Sequence, residues 1–228
     1  MIKRIDSTKD LFTFLDESIS AGENHLFRGV RKQSYKLFTS VGRHKTNKGI
    51  AFDVKAEKLL LKLFKQKAYE YVKQHGDDAL ALLSIAQHHG LPTRLLDWSK
   101  NPLVAIYFAV KDEFGAHEIN EDSKVFLYSP KEKVDLEESY DPFSIKEVKR
   151  YIPKYWSPRM IAQLGVFTVH NEPNNEWCSS ELKSVLISYR ARKEIKLALN
   201  KLGINQGALF PDLDGISEHI KWLRTNVF

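Results

Sequence analysis

The sequence predicts an α+β fold in which helices flank a mixed, partly antiparallel sheet. Segments of helical spacing and short β-branched runs alternate along the 228 residues, but without the strict strand-helix-strand order of a doubly wound parallel sheet. Hydrophobic residues make up 43% of the chain and charged residues 28%, a balance typical of a chain that buries a core. Because one large domain is common at this length, we expect residues 1–228 to form a single domain.

Six helices are predicted from apolar residues that recur every three or four positions. They cover residues 7–20, 52–74, 77–88, a segment that starts at Asn101, 190–202 and 214–225. Asn101 caps its helix, with Pro102 at the first helical position. The helix over 77–88 should end before Gly90 and Pro92, because glycine tolerates left-handed backbone angles and proline restricts the residue before it.

Five strands are predicted from short apolar runs that are rich in β-branched or aromatic residues. They cover residues 25–30, 93–98, 125–128, 166–169 and 184–187. The glycine that follows Arg28 closes the first run, so we expect Arg28 at a strand end. Residues 129–158 are charged, aromatic and interrupted by prolines, and this composition predicts loops and a short helix.

Composition also bears on location and partners. No apolar run approaches the roughly 20 residues that cross a bilayer, and residues 1–6 lack the apolar core of a signal peptide. Cys178 is the single cysteine, so no internal disulfide can form. We therefore expect a cytoplasmic protein without membrane contact. The formal charge of +6 favours an anionic partner such as RNA, DNA or a phosphorylated cofactor.

The densest polar segment runs from Gln87 to Ser99, across a predicted helix-turn-strand junction where side chains of different elements can converge. Two histidines, an arginine, an aspartate and a tryptophan lie in it. Alternation along the strand would direct Arg94 and Asp97 to opposite faces, so the two need not pair. A purely structural interpretation stays open, in which Asp97 pairs with a buried arginine such as Arg28 and Trp98 belongs to the core.

Several blocks of the sequence resemble the FRG-domain family. They are Phe27-Arg28-Gly29 with Ser34-Tyr35 and Ser40-Val41-Gly42-Arg43, the long block from Ala86 to Ser99 with Asn101 to Ala109, the block from Arg159 to Phe167, and the block from Leu209 to Gly215. The block that begins at Ala86 is the longest and most specific. The resemblance extends over nearly the whole chain.

The order of these motifs is similar to that of ADP-ribosyltransferase folds, and the similarity implies a split sheet. The resemblance implies that Arg28 lies on the first strand. A strand-to-helix junction would then present Ser99 or Thr93, and a third strand would present Gln163 or Glu181. By the same resemblance NAD is the expected co-substrate. No metal is expected, because the sequence has no second His or Cys pair at metal-ligand spacing and Cys178 stands alone.

Breaking the bond between nicotinamide and ribose passes through a transition state with oxocarbenium character. The reaction requires a cation that binds the pyrophosphate, an aromatic ring that stacks on the nicotinamide, and a group that accepts a hydrogen bond from a ribose hydroxyl. Arg28 and Arg43 suit the first role, Tyr35 or Trp98 the second, and Gln163 the third. The predicted catalytic residues are Arg28, His88, Asp97 and Gln163, and the predicted NAD-binding residues are Arg28, Tyr35, Ser40, Arg43, Thr93, Arg94, Trp98 and Ser99.

The resemblance thus implies a bacterial toxin or phage-defence effector that transfers ADP-ribose to a nucleic acid or a protein, with an antitoxin or inhibitor protein as a further partner. Because Gln163 would bring no negative charge, activation of the acceptor would fall to Asp97, His88 or the acceptor itself.

Two other classes of function stay open on the sequence. A metal-independent ribonuclease would use His88 and His89 as base and acid, with Arg94 on the scissile phosphate, although adjacent histidines usually point in different directions. A non-catalytic nucleotide-binding or nucleic-acid-binding module would contact phosphates through the basic residues of two helices. Those residues are Lys62, Lys65, Lys67 and Lys73 on one helix and Arg190, Arg192, Lys193 and Lys196 on the other.

Overall fold

A computed structural model describes residues 2–20, 22, 25–112, 119–129 and 140–225. The described residues form one seven-stranded open sheet. Its strands are β1 (Arg4–Ile5), β2 (Leu26–Val30), β3 (Leu95–Ser99), β4 (Ser123–Tyr128), β5 (Lys149–Tyr151), β6 (Gly165–Val169) and β7 (Leu182–Ile187). The spatial order is β1-β7-β4-β2-β3-β6-β5. The β1–β7 pair is parallel and the other five neighbouring pairs are antiparallel, which confirms the predicted mixed sheet.

Helices lie on this sheet and around its edges. They are α1 (Thr8–Ser20), α2 (Ser40–Arg43), α3 (Val54–Lys67), α4 (Tyr69–Val72), α5 (Ala79–His88), α6 (Pro102–Val110), α7 (Pro158–Gln163), α8 (Arg192–Lys201), α9 (Gln206–Leu209) and α10 (Leu213–Thr225), with 3-10 turns at Lys73–His75 and Tyr189–Ala191. The Asn101 side chain accepts from the amide of Leu103 at the start of α6, as predicted. Gly90 follows α5 with a φ of +90°, which explains the end of that helix.

Several sequence-based boundaries were wrong. The helix predicted over 52–74 is three pieces, because α3 ends at Lys67 and the chain then forms α4 and a 3-10 turn. Arg28 lies in the middle of β2 and not at its end, since β4 pairs along the whole of β2. Strand β5 was missed inside the predicted loop region, whose residues 130–139 lie outside the described part of the chain.

The core is divided by the sheet and its covering helices. One cluster of buried residues joins Phe27, Val125 and Ile187 of the sheet to helices α1, α6 and α8. A second cluster joins Leu95 and Phe167 to helix α5. Helices α5 and α6 therefore cover different halves of the sheet. Helix α5 packs over β3 and β6, and helix α6 packs over β2 and β4.

Gly29 determines how closely α6 approaches β2. A Cβ atom at this position would overlap the carbonyl oxygen of Ala105 and would lie 2.7 Å from the backbone nitrogen of Ala109. The glycine is therefore required by the contact between helix and strand. This is a steric reason and differs from the conformational one that holds at Gly90.

A buried ion pair joins α3 to the beginning of β3. The Arg94 guanidinium donates to both carboxylate oxygens of Glu57, at 3.0 and 2.6 Å. It also donates to the carbonyl oxygens of Pro142 and His170, at 3.0 and 3.2 Å. The side chains of Arg94 and Glu57 are 1% and 4% exposed, so their charges are compensated away from water.

Among the described residues, none of the helices combines the length and the hydrophobicity that a bilayer-spanning segment requires.

The substitution Glu57→Ala should destabilise the fold by about 3–5 kcal/mol, because it leaves the Arg94 charge buried without its partner. Urea unfolding followed by circular dichroism measures this change in the free energy of unfolding.

Glu70→Ala is the matched control, since it removes the partner of the exposed Lys73. It should cost no more than about 1 kcal/mol. Equal losses for Glu57→Ala and Glu70→Ala would contradict the assignment of Arg94 to a structural ion pair.

Candidate functional site

A cavity of about 330 Å³ opens where β2 and β3 separate. The two strands are paired at one position, Phe27 with Ser99, whereas β2 pairs with β4 over five positions and β3 with β6 over five. Helices α5, α6 and α7 close the sides of this opening. The cavity therefore gathers side chains from elements that are distant in sequence.

All four residues predicted as catalytic line this cavity. Arg28 comes from β2, His88 from the end of α5, Asp97 from β3 and Gln163 from the end of α7. Four segments that are far apart in the sequence thus meet at one cavity. Their chemical roles stay predictions.

Arg28 spans the gap between the two strands. Its Nη1 atom donates to the backbone carbonyl oxygen of Asp97 at 2.6 Å and lies 3.7 Å from the Asp97 carboxylate. The Arg28 side chain is 17% exposed and that of Asp97 is 63% exposed. Burial lowers the pKa of the Arg28 guanidinium, the Asp97 carboxylate opposes this shift, and the nearby charge of Arg43 adds to it. A shielded cation thus lies beside an open carboxylate.

Arg159 brings a second guanidinium group to the cavity and was not among the predicted site residues. It lies in the first turn of α7, which Ser157 caps by accepting from the amide of Met160 at 3.3 Å. Its guanidinium carbon is 4.5 Å from the ring centre of Phe210. Burial lowers its pKa, and the charges of Asp97 and Asp212 oppose the shift. Arg159 begins the block, Arg159 to Phe167, that resembles the FRG-domain family, and this position could have identified it.

His88 is neutral at physiological pH. Burial lowers the pKa of its imidazole to about 4, and the positive charge of Arg159 adds to this effect. Its ring packs edge-on against Trp156, with ring centres 4.7 Å apart. The exposed neighbour His89 lies 6.2 Å from the same tryptophan. A neutral imidazole at the cavity wall can accept a proton or a hydrogen bond.

Gln163 reaches the cavity from a helix and not from the predicted third strand. Its Nε2 atom donates to the carbonyl oxygen of Leu209 at 3.0 Å. Its own backbone carbonyl accepts from the Ser99 hydroxyl at 2.7 Å. The bond to Leu209 fixes the side-chain amide, and the bond from Ser99 fixes the backbone of this position. Glu181, the other candidate for this position, is not among the residues that line the cavity.

Two further predicted residues line the cavity in structural roles. Trp98 is buried, its indole nitrogen donates to the Thr168 hydroxyl at 2.9 Å, and its ring packs on Tyr128. The hydroxyl of Ser99 donates to the backbone carbonyl oxygen of Gln163 and accepts from the amide of Asn101 at 2.9 Å. Because Trp98 is buried and lines the cavity, its stacking on a ligand stays a prediction.

Five of the predicted NAD-binding residues lie outside the cavity: Tyr35, Ser40, Arg43, Thr93 and Arg94. Thr93 and Ser40 bond to each other, with the Thr93 amide donating to the Ser40 hydroxyl at 2.8 Å. Tyr35 is 43% exposed and stands on the surface. Arg94 cannot reach a ligand because Glu57 holds it in the core. Arg43 is exposed and acts on the cavity through its charge near Arg28.

The same geometry weakens both alternative functions. A ribonuclease that places Arg94 on the scissile phosphate is contradicted by the burial of that residue. Two of the basic residues assigned to phosphate contacts are also structural: Arg192 donates to the Ser123 hydroxyl at 2.9 Å, and Lys196 donates to the carbonyl oxygen of Lys111 at 2.8 Å. Within the described residues, no three His, Cys, Asp or Glu side chains converge as a metal site would require.

His170 follows strand β6 and is buried, and its backbone carbonyl oxygen accepts from Arg94 of the buried ion pair at 3.2 Å. Its Nε2 atom is 2.8 Å from the Thr168 hydroxyl, and its ring packs edge-on against Trp177 at 5.0 Å. Burial lowers its pKa to about 3, and the charges of Arg28 and Arg94 add to this shift. His170 is therefore held neutral in the native protein.

Comparison with protein families identifies one match. Residues 23–118 match the family model of the FRG domain, which confirms the resemblance noted in the sequence. The matched range contains Arg28, His88 and Asp97, whereas Arg159 and Gln163 lie beyond it. No curated protein and no solved structure matches the chain significantly.

We expect the free energy of unfolding to fall as the pH drops from 6.5 towards 3. A histidine in the unfolded chain binds a proton below a pH of about 6.5, whereas native His170 stays neutral until about 3. The unfolded state therefore binds more protons in this window, and each such histidine contributes a slope of about 1.4 kcal/mol per pH unit. In His170→Gln the slope should decrease by that amount, as measured by urea unfolding at successive pH values.

His75→Gln, which changes a partly exposed histidine on the 3-10 turn, provides the control for this series. A wild-type slope that persists unchanged in His170→Gln would show that His170 does not titrate as described.

Proposed function

We propose, from the FRG domain that residues 23–118 carry, that this protein transfers ADP-ribose from NAD to a macromolecule. The observation that supports this most is the meeting of two guanidinium groups, Arg28 and Arg159, with the open carboxylate of Asp97 at one cavity. Paired guanidinium groups suit the two charges of a pyrophosphate.

The size and lining of the cavity fit half of a dinucleotide. A volume of about 330 Å³ is at the lower end of the range for ligand pockets. Phe108 and Phe167 contribute aromatic walls, and Phe108 is partly exposed to the cavity. In our proposal Phe108 stacks on the nicotinamide ring, the role that the sequence assigned to Tyr35 or Trp98.

The proposed reaction breaks the glycosidic bond between the nicotinamide nitrogen and C1′ of the ribose. The bonding electron pair leaves with nicotinamide, which departs as a neutral molecule. A nucleophilic oxygen or nitrogen of the acceptor attacks C1′, and its proton passes to Asp97 or to the neutral imidazole of His88. No oxidant or reductant is needed.

Gln163 would orient the ribose in this scheme. Its amide oxygen can accept from a ribose hydroxyl, while its nitrogen is held by the carbonyl oxygen of Leu209. Positioning the sugar in this way favours the flattened ring of an oxocarbenium-like transition state. An activity of this kind is consistent with a toxin or a phage-defence effector that acts on nucleic acid or protein.

Arg28→Ala should reduce the release of nicotinamide from NAD by about 10²-fold or more, because a charged donor to the pyrophosphate is lost. The measurement is nicotinamide release by liquid chromatography, with radiolabelled NAD and with cellular RNA, DNA and protein as acceptors.

Arg190→Ala removes an exposed arginine outside the cavity and serves as the matched control. The circular dichroism of both variants verifies that they fold. If the wild type neither releases nicotinamide nor labels any acceptor, the proposed transferase is refuted. Cleavage of RNA without NAD would favour a ribonuclease, and salt-sensitive binding of nucleic acid without turnover would favour a binding module.

Asp97→Asn should separate binding from transfer. The amide keeps the size of the side chain but cannot accept the acceptor's proton, so label transfer should fall by about 10²-fold or more. The dissociation constant for NAD, measured by isothermal titration calorimetry, should change only a few-fold. A tenfold or greater loss of NAD affinity with unchanged turnover would instead make Asp97 a binding residue.

A further inference from the structure

Helix α10 turns its more hydrophobic face to solvent. Its inward face consists of Gly215, which is buried, and of the partly buried His219 and Trp222. Its outward face carries four large aliphatic residues that are between 45% and 82% exposed: Leu213, Ile216, Ile220 and Leu223. We call these four residues the α10 stripe. Contiguous exposed apolar surface of this kind marks an interaction site.

The inward face explains why α10 is ordered without help from the α10 stripe. A Cβ atom at Gly215 would overlap the carbonyl oxygen of Phe210, so the helix lies in direct backbone contact with the segment before it. The ring of Trp222 stacks near His219, with centres 6.0 Å apart, and Lys196 of α8 lies 5.2 Å from the Trp222 ring centre. The α10 stripe is therefore not required for docking α10 onto the rest of the protein.

The α10 stripe is symmetric about its own centre. The residue types occur in the order Leu, Ile, Ile, Leu, and the spacings are three, four and three. A second helix that runs in the opposite direction would place Leu213 against Leu223 and Ile216 against Ile220. An interface across a two-fold axis requires this self-complementarity, whereas binding to an unrelated partner does not.

The charges of α10 have the same directional complementarity. Asp214 lies in its first turn, and Lys221 and Arg224 lie towards its end. In an antiparallel pair the acidic beginning of each helix lies beside the basic end of the other. The spacing of the α10 stripe also matches the a and d positions of two heptads, the pattern by which helices pack in pairs.

We propose that α10 is a homodimer interface, in which the α10 stripe packs against the same residues of a second copy with the two helices antiparallel. The α10 helix lies next to α9, whose last residue Leu209 accepts the bond from the cavity residue Gln163. The proposed interface does not depend on the proposed transferase activity.

Sedimentation velocity of the full chain at micromolar concentration tests the oligomeric state. The wild type should sediment with twice the mass of the 26.4 kDa chain. The double variant Ile216→Glu with Ile220→Glu should sediment as a monomer, because four buried carboxylates would meet across the interface. Ile19→Glu, which changes an exposed isoleucine on α1, should leave the dimer intact.

Disulfide trapping tests the direction of the helices and uses a Cys178→Ser background, since Cys178 is an exposed thiol. A mixture of the Leu213→Cys and Leu223→Cys variants should form a crosslinked dimer on mild oxidation. The Leu213→Cys variant alone should not, because the antiparallel arrangement separates its two cysteines by roughly 15 Å along the axis.

Three results would overturn the proposal. A monomeric wild type would mean that the α10 stripe binds something other than a second copy. A dimer that survives the Ile216→Glu, Ile220→Glu substitutions, with circular dichroism unchanged, would place the interface elsewhere. Efficient crosslinking of Leu213→Cys by itself would indicate parallel helices.

Discussion

The separation of β2 from β3 is the constraint on which the rest of this structure depends. The strands are paired at Phe27 and Ser99 and diverge beyond that point. Divergence inside a sheet leaves backbone groups in need of other partners. Arg28 supplies one by donating across the gap to the carbonyl oxygen of Asp97. The feature that interrupts the hydrogen-bond ladder therefore also creates the cavity and introduces a positive charge into it.

Two arginines of this chain show how a partner decides what a guanidinium group can do. Arg94 meets the carboxylate of Glu57 inside the core, and its remaining bonds go to carbonyl oxygens, so it stabilises the fold and is closed to ligands. Arg28 meets a carbonyl oxygen first and a carboxylate only at 3.7 Å, and that carboxylate is open to solvent. Its charge is less completely compensated, which leaves it able to attract an anion.

Much of the site was predictable because local sequence and family-like blocks identified the segments that carry it. Arg28, His88, Asp97 and Gln163 were all expected in one cavity, and all line it. The errors share one cause: a residue inside a motif was assumed to face the ligand. In the structure some residues of these blocks hold the cavity walls in place without lining the cavity. Thr93 is one of them, since its amide donates to the Ser40 hydroxyl.

The sequence by itself determined the class of the fold, the caps and turns that end its helices, and the segments that form the cavity. These features depend on neighbours within a few positions, through side-chain caps, left-handed glycines and apolar periodicity. Only the tertiary structure decided which arginine is buried, that Arg159 joins the cavity and that the α10 stripe faces solvent. Those outcomes depend on contacts between residues far apart in the chain, such as Glu57 with Arg94, which the caps, turns and periodicity of neighbouring residues do not encode.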